Sequence, residues 1–181
     1  MRLTKVEKLI LVMLCELHEK LGINKDIDPA FVKEAIYSDN VWALEFEYQG
    51  LLGDDSGKDE ELVDEVGRIL DMWWFMEMGY AKLSDHERKD LESTGLPYCK
   101  KVEFRGFDGN NELEHLSVAR FYIDQMGRFT HFRGRDLNSH APSLEMHRRM
   151  LAVFPAVRST LSDGPMKLDK LKSLLEAARY N

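Results

Sequence analysis

Arg120, Arg128, Thr130, His131, Asn138 and Arg149 offer guanidinium, hydroxyl, imidazole and amide groups within one stretch of the chain. Brought together, they would make a pocket for a carboxylate- or phosphate-bearing ligand, because the planar guanidinium meets both anions through two parallel hydrogen bonds. The same set would also serve an enzyme. Histidine is the side chain type best suited to acid–base work near neutrality, and His131 would act as general acid or base. Arg128 and Arg149 would then stabilise developing negative charge, with Asp108 or Glu112 orienting the imidazole. A structural assignment competes with both: Arg120 and Arg149 as buried partners of Asp108, Glu112 or Glu145, fixing the loop between two helices. A buried guanidinium has to be paired whether or not a ligand binds, which favours the structural assignment.

Other chemistries find less support. His131, His140 and His147, with Asp136 among them, match no compact zinc spacing, and His18-Glu19 and His86-Glu87 lack the second histidine of a metalloprotease face. No metal and no cofactor is expected. The acidic stretch Asp54–Glu61 has Asp59 where a calcium loop needs its turn glycine, and reads as a surface loop. Cys15 and Cys99 form no CxxC pair and read as reduced thiols. Glycine-rich nucleotide loops and the nucleophile elbow are missing.

Charge narrows the partners. The 181 residues carry a net charge of -7; residues 1–100 hold 12 Lys and Arg against 22 Asp and Glu, and residues 101–158 hold 9 against 7, eight of the nine being arginine. RNA binding through that arginine-rich half, with Phe129 and Phe132 as stacking platforms, is opposed by the overall acidity, since phosphate repulsion dominates nucleic-acid affinity. The longest apolar run, Leu9–Leu14, is far short of the roughly 20 residues that span a bilayer, so no membrane partner is expected. The N-terminus has no secretory signal pattern, and the expected compartment is the cytoplasm.

Positioning these residues falls to helices. Thr4–Glu7 reads as a capping box, after which Val6, Leu9, Ile10, Met13, Leu14, Leu17 and Leu21 share one face before Gly22 ends the helix. Asp28-Pro29 starts a second helix, and Val41–Leu52 reads as a third. Gly53–Lys58 is a polar break. Leu62, Val66, Ile69, Leu70, Trp73, Trp74 and Met76 predict a central core helix to about Met78, where the aromatic cluster packs rather than cages a ligand. Ser84–Glu87 repeats the capping box. Leu113–Met126 keeps helical spacing up to Gly127, Pro142-Ser143 opens another helix, and Gly164-Pro165 introduces the last. Alternation at 102–104 and 129–132 predicts a short two-stranded β element in a mostly α, multi-helical domain of residues 1–181.

The strings Phe104-Arg105-Gly106-Phe107-Asp108 and Gly127-Arg128-Phe129-Thr130-His131-Phe132, with Glu112, Arg120-Phe121, Asn138, Pro142 and Arg149-Met150-Leu151, resemble the bacterial YfbU-like family. The resemblance covers about residues 3–158. It implies a compact, predominantly helical cytosolic domain, and no reaction, cofactor or substrate. The expectation is a non-enzymatic interaction or regulatory domain, self-associating into a homo-oligomer, that takes an anionic small molecule or a protein partner. The alternative is a small enzyme built on His131.

Overall fold

In the computed structural model, which describes residues 3–23, 26–52, 59–161 and 164–179, the apolar periods of the sequence are helices. Helix α1 (Lys5–Lys20) starts on its capping box: Thr4 Oγ1 accepts from the Glu7 amide at 3.2 Å and the Glu7 carboxylate accepts from the Thr4 amide at 2.7 Å. Gly22 leaves the helix left-handed, at φ +64. Helix α2 (Pro29–Tyr37) opens with the Asp28 side chain accepting from the Ala30 amide and proline in the first turn. The single helix expected over 41–52 is two short ones, α3 (Trp42–Glu47) and α4 (Gln49–Leu52). The chain leaves helical geometry at Tyr48, whose hydroxyl accepts from the Asp28 amide at 2.9 Å. The polar break at 53–58, including most of the acidic loop, lies outside the described residues.

Residues 1–64 form one compact unit and residues 65–181 a second. In the first, α1 packs on α2 through Cys15, and Lys33 and Glu19 pair at 2.7 Å. Its seven-residue apolar face lies exposed instead: Val6, Leu9, Ile10, Met13, Leu14, Leu17 and Leu21 keep between 50% and 72% of their surface.

The second unit is organised by α5 (Asp59–Lys82), which runs a turn past its expected end. Val66, Ile69, Leu70, Met72, Trp73 and Met76 are fully buried, while Trp74, also expected in the core, faces outward. Helix α6 (Asp85–Ser93) follows its Ser84–Glu87 capping box. Helix α7 (Leu113–Arg120) passes into a π-helical turn over Phe121–Gln125, where the Met126 amide donates to the Phe121 carbonyl five residues back. Helices α8 (Leu144–Arg158) and α9 (Leu168–Ala177) close the core with Met150, Leu171, Leu174 and Leu175. Among the described residues no helix is long and apolar enough to cross a membrane.

The expected β element does not form. No strand occurs among the described residues; residues 102–104 are irregular and Thr130–Phe132 is a 3₁₀ turn. Phe129 precedes that turn in the left-handed region (φ 47, ψ 40), which a ladder cannot accommodate. Phe104 and Phe132 both point inward, with ring centroids 5.3 Å apart. What joins the two loops is an isolated bridge: the Phe107 amide donates to the Leu137 carbonyl at 2.9 Å and the Ser139 amide to the Phe107 carbonyl at 3.1 Å.

Gly106 permits that bridge. At φ +88, a Cβ would stand 1.6 Å from the Leu137 carbonyl oxygen. Gly106→Ala is expected to cost roughly 3 kcal/mol or more, from overlap plus left-handed strain. Gly95→Ala, left-handed but with open space around it, should cost about 1–2 kcal/mol. Urea midpoints of the two variants compare them directly.

Candidate functional site

Every residue singled out for chemistry is placed, but they do not converge. Arg149 reaches the end of α9, donating from Nε to the Ala177 carbonyl (3.3 Å) and from Nη2 to the Ala178 carbonyl (3.2 Å). Arg120 is exposed at the end of α7, where its charge contributes to lowering the pKa of Asp136. Arg128 and Thr130 are exposed in the turn before His131. Asn138 closes its own loop, its Oδ1 accepting from the Gly109 amide (3.0 Å) and the His140 amide (2.9 Å).

His131 does have a carboxylate beside it, though neither Asp108 nor Glu112. Its Nε2 lies 2.6 Å from Glu77 Oε2, with 35% of the side chain exposed. Glu77 projects from the buried face of α5, one helical step from Trp73 and Met76. Arg135 grips the same carboxylate through both terminal nitrogens, each at 2.8 Å, and the Phe104 amide donates to Oε1 at 2.8 Å. Burial pushes the Glu77 pKa up, but Arg135, the Phe104 amide and His131 together hold it below the usual carboxylate range. The Arg135 guanidinium also lies over the Phe132 ring, 5.1 Å from its centroid.

The other two acids expected near arginine hold backbone instead. Glu112 Oε1 accepts the Ser143 and Leu144 amides, each at 2.7 Å, and Oε2 accepts the Asp108 amide at 2.9 Å. Ser143 flanks α8 but makes no side-chain cap, so a carboxylate 31 residues upstream satisfies the first amides of α8 and meets the positive end of its dipole. Those bonds outweigh burial and lower the Glu112 pKa. The Asp108 side chain is occupied by the Asn110 amide and the Asn111 side chain.

Glu145 does pair with an arginine, but with Arg148, at 2.8 Å. Arg148 also binds Glu65, which in turn contacts His115 Nε2 at 2.9 Å. This network was not legible, because Glu65 and Arg148 are 83 residues apart. Glu77 carried one readable signal: it is an acid at an inward position of an otherwise apolar helical face.

His147 is the buried hub. Trp73 Nε1–H donates to its Nδ1 at 3.0 Å, so Nε2 bears the proton and faces the Gly106 carbonyl at 3.3 Å. The rings of Trp73, Phe104 and Phe107 surround it at centroid distances of 5.3–5.8 Å. Among the described residues no cluster of three His, Cys, Asp or Glu side chains is arranged to hold a metal ion. Phe132, named as a stacking platform, is fully buried, and Phe129 stands edge-on to Tyr122.

Burial lowers the His147 pKa from 6.5 to about 4. An unfolded chain takes up this proton below about 6.5, and the folded chain resists it down to about 4. Stability is therefore full above pH 6.5 and declines as the pH falls through that window, by about 3 kcal/mol in all. His147→Gln keeps one acceptor and one donor without titrating, so denaturant unfolding between pH 6.5 and 4 should show a flatter slope than the parent. An unchanged slope would place the titrating group elsewhere.

The strings Phe104–Asp108 and Gly127–Phe132 are thus one knot of loops, tied by Gly106, Glu77, Glu112 and His147. A family model described as the YfbU domain matches residues 1–177, which include both strings and the helices on either side of them. The chain belongs to the YfbU family.

Proposed function

We propose that this chain is a non-enzymatic interaction domain that works by macromolecular contact in the cytoplasm and associates with itself through its N-terminal unit. One observation carries the reading: α1 is apolar on two sides, and only one of them is covered. An apolar helix face belongs against another surface, yet six large side chains of α1, and Leu21 just after it, stand in solvent. Contiguous apolar surface of this extent marks contact sites.

Sedimentation velocity over a concentration series tests it. The parent protein should sediment as an oligomer and Leu9→Glu/Leu17→Glu as a monomer, with the apparent dissociation constant raised at least about 100-fold. Helix content should change little, since both side chains are exposed in the single chain. A monomeric parent removes self-association.

A second reading keeps the His131 turn as a small-molecule site, either holding an anion or using His131 as acid or base. The contact between Glu77 and His131 supports it, because a carboxylate on one ring nitrogen orients an imidazole for proton transfer. Arg128, Thr130 and His131 all reach solvent from this turn. A thermal-shift screen of phosphates, sugar phosphates and carboxylates should then give a stabilising ligand whose effect Arg128→Ala abolishes. No shift with any of them, in a folded protein, removes this reading.

A further inference from the structure

We infer that α1 pairs antiparallel with α1 of a second copy of this chain, about a two-fold axis passing between positions 11 and 12. The inference rests on self-association and gives it a surface, a partner and a register.

The inner side of α1 is committed to α2. Cys15 is buried there, Glu19 binds Lys33, and Lys8 binds Asp39. The outer side carries Val6, Ile10, Met13 and Leu17 at the alternating four- and three-residue steps of a two-helix seam, flanked by Leu9 and Leu14 and prolonged by Leu21. More than half of most of these side chains is open, on the order of 700 Å² in all, close to the roughly 800 Å² that each partner of a stable interface contributes. The area suits a like copy.

Antiparallel pairing about that axis sets Val6 opposite the partner's Leu17 and Ile10 opposite the partner's Met13, while Leu9 and Leu14 cover the seam from its two edges. Both matches share one register, which leaves no seam residue from Val6 to Leu17 facing a polar one. The edges agree as well. At 100° per residue, Lys5 and Glu16 line one edge of the apolar face, while Glu7 and His18 line the other. In antiparallel pairs each edge meets its own counterpart. The register brings Lys5 to within two residues, about 3 Å along the axis, of the partner's Glu16, and Glu7 equally near the partner's His18. Opposed helix dipoles favour the same direction.

Disulfide trapping reads the register. The native thiols Cys15 and Cys99 are buried, so introduced surface cysteines report alone. Val6→Cys mixed with Leu17→Cys should give a covalent dimer on mild oxidation, and each variant alone should not. In this register, two copies of either position lie about 16 Å apart along the axis, beyond disulfide reach. Cross-linking of Val6→Cys with itself would establish parallel pairing and overturn the proposal. An oligomer that forms while neither the mixture nor the single variants cross-link would put the interface elsewhere and overturn it too. If the parent protein is a folded monomer in sedimentation, self-association itself fails, and carbene footprinting of α1 then separates a face open to another protein from one covered within the chain.

Discussion

Loops that run through an interior must find a partner for every backbone amide, and in the second unit that requirement is met by two carboxylates. Glu112 holds amides from two loops and a helix terminus, while Glu77 holds an amide, a guanidinium and an imidazole. A carboxylate in such a place is tolerated only because donors surround it, and the donors are fixed only because it is there. Without Glu77 the Phe104 amide loses its acceptor, and without Glu112 the Asp108, Ser143 and Leu144 amides lose theirs together. The aromatic core packs against loops held in this way: Phe104 lies against both Trp73 and His147, Phe107 against His147, and Phe132 against Phe104.

This economy changes how the polar residues of the chain are understood. Grouped by type, the arginines, histidine, threonine and asparagine of the second half suggest a pocket. Placed in the fold, Arg149 closes α9, Asn138 closes its own loop and His131 leans on Glu77. Six large apolar side chains left open lie on α1. The two proposed readings thus draw on different parts of the chain: acid–base chemistry would depend on a turn tied to a buried acid, self-association on an apolar helix face.

Much of the fold was legible because its determinants are local. The two capping boxes, the proline at the start of α2 and the glycine after α1 are contained within a few residues, and each formed as read. What was not legible is separated in sequence. Glu112 and Ser143 are 31 residues apart, Glu77 and Arg135 58, and nothing in either segment names the other. The π turn escaped because one extra residue in a single turn barely disturbs a helical period. The expected β element failed for a similar reason: alternation at Phe104 and Phe132 described side chains that turn inward, and the left-handed Phe129 broke the extension that a ladder requires. For α1, the pattern gave the apolar face correctly but not which of its two sides the rest of the unit would use.

The capping of α8 by Glu112 has a consequence in time. Ser143 and Leu144 receive their acceptor from a residue made well before them, so the first turn of α8 cannot be completed by its own segment. The helix can form its interior early, as local contacts allow, but its entrance stays frayed until the 106–112 loop has come into place. Closing that loop costs entropy that only the packed aromatics repay. The entrance of α8 and the 106–112 loop are therefore coupled, since neither has all its backbone hydrogen bonds until both are in place.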